Sequence, residues 1–170
     1  MLTRRLQRIL RHRWLDEDDT KRAVPPDLSE RLARRVAASE QRHTGEIRIY
    51  VEAGLPLSYL WRDAEVRERA VAMFGKLNVW DTEQNNGVLI YLLLAEHAIE
   101  IVADRGIARH VDPAQWAEVV QHMQQSLRDG RFEDGLTQAL EEVSGLLVRH
   151  FPAEPGAANV DELPNAPVLG

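Results

Sequence analysis

The sequence predicts an α/β protein: a three-layer α/β/α sandwich built on a small mixed sheet. Three observations carry that reading. Seven apolar residues run unbroken from Val88 to Leu94, the pattern of a strand covered on both faces. Two other stretches, EIRIYVEA at 46–53 and AIEIVA at 98–103, alternate with period two. Helical periodicity precedes, separates and follows these strands, giving the order helix, strand, helix, strand, strand, helix, helix.

Residues 2–14, LTRRLQRILRHRW, place Leu2, Leu6, Ile9, Leu10 and Trp14 at helical spacing among five arginines. The straightforward expectation is a helix that packs its leucines on the domain. A basic amphipathic helix also suits a peripheral contact with anionic lipid, here at the inner membrane. Asp16-Glu17-Asp18-Asp19 follow at once, and residues 1–24 read as basic amphipathic helix plus acidic linker. Pro25-Pro26 exclude helix locally, and Asp27 or Ser29 is placed to cap a helix running to about His43, with Leu32 and Val36 inward. Gly45 is suited to a left-handed cap at its end.

The strand 46–53 puts Ile47, Ile49 and Val51 on one face and Glu46, Arg48, Tyr50 and Glu52 on a solvated one. Residues 62–77 form the next helix, and 78–87 a polar loop. The buried strand 88–94 turns at Ala95-Glu96-His97 into the alternating strand 98–103. The strands before and after the 62–77 helix are expected parallel, and the last two form a hairpin. Asp112-Pro113 opens a helix with Trp116, Val119, Val120, Met123 and Leu127 as its apolar stripe, and Asp129-Gly130 stops it. A last helix runs from about Phe132 to Phe151. The folded domain is thus 25–151, and 152–170, rich in Pro, Gly, Ala and Asn, is expected to be disordered.

Composition narrows the function. The 170 residues are 44% hydrophobic and 28% charged, with a net charge of −6. That balance gives no global attraction to nucleic acid. The chain has no cysteine, which excludes disulfides and thiolate metal sites. No apolar run approaches a membrane span and no secretory h-region is present, so the chain reads as cytoplasmic. There is no P-loop, no Gly-rich dinucleotide fingerprint and no H-E-x-x-H, so no nucleotide cofactor is indicated.

The unit NNGVLIYLLLAEHAIEIVADRGI, residues 85–107, resembles the TPM domain. The supporting features are Asn86-Gly87 before the buried strand, Gly106 after the next, and two closing helices with Trp116 and RFEDGLTQAL. The upstream SEQRHTGEIRIYVEA, residues 39–53, adds to them. The resemblance covers about residues 27–150. It implies an α/β/α sandwich, and either a binding or accessory module of a protein or membrane-associated complex or a metal-dependent, phosphatase-like hydrolase. Some plant members are described as acid phosphatases, and some bacterial ones bind calcium or another divalent ion. Secreted members often read Gly-Tyr-Gly where this chain reads Asp104-Arg105-Gly106.

Strand ends and the loops beyond them are where α/β folds place ligands. Asp81, Glu83, Asn85, Asn86 and Asp104 supply the hard oxygens that Ca2+ or Mg2+ prefers, and Gly87, Arg105 and Gly106 would rim the pocket. The stretch from Asp81 is not an EF-hand: its sixth position is Asn86 and its twelfth Leu92. The competing reading makes Asp104 an acceptor of backbone N–H groups in a turn, with Gly106 supplying an unusual backbone angle. The histidines form no catalytic constellation by spacing.

Overall fold

The computed structural model describes residues 2–154 and 161–170. Helix α1 (Leu2–Trp14) is followed by a short α2 (Glu17–Ala23) where an acidic linker was expected. The acids are what make it a helix. Asp16 accepts the Asp18 N–H at 2.9 Å, and Asp19 accepts the Asp16 N–H at 2.9 Å. That is a capping box at a terminus that favours negative charge. Helix α3 (Pro26–Glu40) begins with proline at its first position. Gly45 does not cap it in a left-handed conformation, since Gly130 alone among the described glycines has positive φ.

Strands β1 (Ile47–Glu52), β2 (Val88–Leu93) and β3 (Ala98–Ala103) form the expected mixed sheet. β1 and β2 are parallel, with Ile49 opposite Ile90, and β2 and β3 are antiparallel, with Ile90 opposite Ile101. Between β1 and β2 lie a short α4 (Leu57–Trp61) and α5 (Val66–Lys76). A single 3-10 turn over Leu94–Glu96, closed by His97 at φ 48°, makes the hairpin. After β3 come a one-turn α6 (Arg105–Ala108), α7 (Pro113–Arg128) and α8 (Phe132–His150). Asp112 caps α7 through a capping box with Gln115.

The sheet separates two cores, as three layers require. Ile47, Ile49, Val51, Val88, Ile90 and Leu92 face α3, α7 and α8. Tyr50, Leu89, Tyr91 and Leu93 face α5 and the segments around Leu55, Leu60 and Val79.

Two expectations fail here. The polar face of β1 is not solvated: Glu46, Arg48, Tyr50 and Glu52 are all buried. The tail is not structureless throughout. Val168–Leu169 forms β4, parallel to β1 with Tyr50 opposite Val168, so the sheet order is β3-β2-β1-β4. Leu163 is buried in the second core. The tail has no periodicity because it adds an edge strand of two residues, too short to show a pattern. Residues 155–160 lie outside the described part.

Helix α1 also departs from the expected packing. Leu6, Leu10 and Trp14 face solvent, 60%, 51% and 84% exposed. The docked side is the polar one. His12 accepts the Leu55 N–H at Nδ1 (2.9 Å), which leaves Nε2 to donate to Glu96 (2.9 Å). Arg8 reaches Glu96 and Asp63, both at 2.7 Å, and the Ala64 carbonyl at 2.8 Å. Hydrogen bonding from His12 and Arg8 holds the Glu96 carboxyl down at about 2.

Candidate functional site

The segment entering β2 and the segment leaving β3 are neighbours because those strands pair, with Val88 opposite Ala103. The pairing continues past the strands. The Asp104 N–H donates to the Gly87 carbonyl at 2.9 Å, and the Gly106 N–H to the Asn85 carbonyl at 2.7 Å. Both glycines are required by close approach. A Cβ at position 106 would lie 2.4 Å from the carbonyl oxygens of Gln84 and Asn85, and one at position 87 would lie 2.0 Å from that of Val79. Gly106 therefore serves by having no side chain, and not by an unusual backbone angle.

Asp104 caps α6: one carboxylate oxygen accepts the Arg105 N–H at 2.7 Å. Its other oxygen, Oδ2, is buried and has no hydrogen-bond partner. Asn86 is wholly buried. Its N–H donates to Thr82 Oγ1 (3.1 Å) and its side-chain NH2 to Thr44 Oγ1 (3.2 Å), while its Oδ1 is also buried without a partner. Thr44 Oγ1 donates in turn to Gln84 Oε1 at 2.9 Å. Buried polar atoms left unmatched are costly and rare in folded proteins. Here two oxygens lie on two segments latched to one another.

Of the residues singled out by sequence, Asn85, Asn86, Gly87, Asp104 and Gly106 come together at this junction. Asn85 is exposed, with φ 52°, and contributes its carbonyl. Arg105 is exposed beside it. Asp81 and Glu83 are exposed on the outside of the loop, and the Glu83 N–H is held by the Glu162 carboxylate at 3.1 Å. Neither joins Asp104 in a three-carboxylate group. Among the described residues such a group is Glu40, Glu46 and Asp161, whose oxygens lie within 4.8 Å of one another.

That group was not legible from spacing, because Asp161 arrives on the returning tail. Burial is the main force raising both inner carboxyls, Glu40 to about 8 and Glu46 to about 7. They anchor chain: Glu40 accepts the Ile47 N–H at 3.1 Å, and Glu46 accepts those of Glu162 and Leu163, both at 3.3 Å. Arg48 donates to the Ala166 carbonyl at 3.3 Å.

Two further clusters escaped the sequence reading. Ser39 Oγ and His43 Nε2 are 2.8 Å apart, at a spacing of four that could have been noticed. Burial lowers His43 to about 4. Both residues are buried, so no substrate reaches the hydroxyl. At the far end of β1, Glu52 is gripped by Arg69 at 3.1 and 3.0 Å and accepts the Tyr91 hydroxyl at 2.6 Å. Nothing in the sequence spacing joins those three.

Comparison with known proteins agrees with this architecture. The TPM domain model matches residues 18–146. The chain is similar to the NMR structure of the BA42 protein from the psychrophilic bacterium Bizionia argentinensis. Identity is 27%, over 82% of this chain and 90% of that one, with a TM-score of 0.71. The N-terminal domain of a P. gingivalis protein, also solved by NMR, shares the fold. It is 16% identical over 77% of this chain and 83% of its own, with a TM-score of 0.61. No curated protein matches. The match over residues 18–146, most of the chain, places this chain in the TPM domain family.

Proposed function

We propose that the protein is a TPM binding module that takes a hard divalent cation, calcium or magnesium, where residues 84–87 meet 104–106. The observation that supports this is the pair of buried, partnerless oxygens, Asp104 Oδ2 and Asn86 Oδ1. A carboxylate, an amide oxygen and nearby backbone carbonyls form the donor set that calcium accepts readily. The latch between Asn85 and Gly106 would hold these donors in place before the ion arrives. One full charge among the inner donors implies modest affinity, with Asp81 and Glu83 lending negative charge from the same loop. The module reading is preferred to a hydrolase because the Ser39–His43 pair is sealed inside the domain.

Calorimetric titration with calcium and magnesium tests the site. Wild type should bind and gain thermal stability by mass action. Asp104→Asn keeps the shape and one acceptor but removes the charge, and it should bind more weakly while folding as before. Asp161→Asn should leave affinity unchanged. Absence of binding at millimolar calcium, equal binding by Asp104→Asn, or loss through Asp161→Asn would each overturn the assignment. Metal-dependent turnover of a phosphomonoester that vanishes in Asp104→Asn would replace the module reading with the hydrolase.

A further inference from the structure

Helix α1 is attached to the domain backwards. Its polar side, Arg8 and His12, is tied to Glu96, Asp63, Ala64 and Leu55, so its apolar stripe is turned away from the protein. Leu6, Leu10 and Trp14 are four residues apart and line one stripe. Ile9 alone of the described apolar side chains on α1 packs inward, against the second core. The helix rests on α4, whose own Leu57 and Trp61 are exposed by 51% and 70%. A Cβ at Gly54 would come 2.6 Å from the His12 carbonyl oxygen, so the helix also sits hard against the exit of β1.

The charges around the stripe decide what it fits. Arg13 borders it on one side and Arg11 on the other, with Arg5 further round; all three are exposed, and none is in an ion pair among the described residues. Three of the four acids that follow are already engaged, and Glu17 is exposed without an ion pair among the described residues. Asp16 and Asp19 cap α2, Asp19 pairs with Arg22 at 3.0 Å, and Asp18 lies 3.6 Å from Lys21. Glu96 and Asp63, the acids against the inner side of α1, are held by Arg8, and Glu96 by His12 as well. The exposed surface of α1 is therefore apolar along its crest and cationic on its flanks. Tryptophan and leucine with flanking arginine is the composition of helices that lie in the headgroup region of anionic bilayers.

We propose that α1 is a docking surface for an anionic lipid bilayer. Leu6, Leu10 and Trp14 enter the headgroup–acyl boundary while Arg11 and Arg13 meet lipid phosphates. The polar tether through Arg8, His12 and Glu96 keeps the helix fixed to the domain while its crest is in lipid. A folded, pre-oriented helix does not have to order on binding, which lowers the entropic cost of association. This surface is separate from the cation crevice and does not depend on it.

The test is flotation of the full chain with phosphatidylcholine vesicles and with vesicles that also contain phosphatidylglycerol. A chelator is present throughout, so that no cation bridges protein and lipid. Wild type should float with the anionic vesicles, remain behind with the neutral ones, and be released by salt. The double variant Leu10→Ser/Trp14→Ser should lower the partition coefficient by about tenfold or more at an unchanged melting midpoint, because both side chains are exposed in the free protein. Arg11→Glu/Arg13→Glu should abolish the preference for phosphatidylglycerol. Asp104→Asn should float like wild type, which separates this surface from the cation site. Failure of wild type to bind anionic vesicles, or binding equal to wild type by either Leu10→Ser/Trp14→Ser or Arg11→Glu/Arg13→Glu, overturns the proposal. So does a dimer in gel filtration that Leu10→Ser/Trp14→Ser disperses, since the stripe would then belong to a second copy of the chain.

Discussion

The ion pair at the end of β1 offers a demanding test of the fold. Glu52 and Arg69 are 17 residues apart, and their side chains are 6% and 12% exposed. Arg69 grips both carboxylate oxygens and Tyr91 donates to one of them. Burial acts against the Arg69 cation, but Glu52 outweighs it, so the guanidinium is held above its ordinary range. Burial and the same carboxylate push the Tyr91 hydroxyl well up, so it stays a donor at neutral pH. Arg69→Met keeps most of the aliphatic bulk and removes the charge. It leaves a buried carboxylate with a single neutral partner, a situation that costs roughly 3–5 kcal/mol. For a chain of this size each kcal/mol moves the melting midpoint by about 2–4 °C, so scanning calorimetry should show a fall of roughly 6–20 °C. The double variant Glu52→Gln/Arg69→Met should recover much of that loss, because the amide still accepts from Tyr91 and no buried charge remains. Urea titration of all four species closes the cycle. Two results would refute the reasoning. A loss below about 1 kcal/mol in the single variant is the signature of a hydrated surface pair. A double variant no more stable than the single would trace the cost to lost packing instead.

Two other outcomes follow from the same structure. Removing residues 161–170 should lower the melting midpoint by several degrees, because it uncovers the second core at Leu163, the edge of β1, and the carboxyl of Glu46; an unchanged midpoint in a thermal melt would show that β4 does not hold in solution. The carboxyls of Glu40 and Glu46, held at about 8 and about 7 by burial and by their acidic neighbours, bind protons in the folded state that an unfolded carboxyl releases near pH 4.5. Their contribution to stability is therefore complete below about pH 4.5 and is lost as pH rises through 7 to 8. Melting midpoints measured from pH 6 to 9 should fall in wild type and fall less in Glu40→Gln; parallel curves would show that the slope has another source.

Much of the fold was legible because it is written in local pattern. The unbroken apolar run of β2 announces a central strand, and the structure seats it between β1 and β3 with both faces covered. Asp112-Pro113 announces the start of α7 through cap chemistry that does not depend on the rest of the chain. What failed did so where a distant segment changed the medium. Glu46, Arg48 and Glu52 alternate like residues of a solvated face. The face is covered by α5 and by the returning tail, and each charge has to find a partner there. Alternation reports that two faces differ, not that one of them is wet. The two-residue β4 carries no pattern at all and exists because β1 leaves an edge for it to pair with.

The candidate site divides along the same line. Asp104-Arg105-Gly106 stood out because an acid, a base and a glycine follow a buried strand. Helix capping accounts for one oxygen of Asp104. The role of Gly106 could not be read locally: it exists to let the Gln84 and Asn85 carbonyls approach. Those carbonyls belong to a loop about twenty residues upstream, brought there by the hairpin register. The grouping of Asp104 with Asp81 and Glu83 assumed that loop carboxylates turn toward the strand end. The loop instead turns Asn86 inward, anchored by Thr44 and Thr82, and leaves the acids outside. Helix α1 makes the complementary case. Amphipathic spacing establishes that Leu6, Leu10 and Trp14 share a stripe, but it is silent on the medium that covers it. What fixes its orientation lies on the opposite side of the helix, where a histidine has both nitrogens satisfied and an arginine has three partners. Directional polar contacts, and not the non-directional apolar ones, determine which way this helix faces.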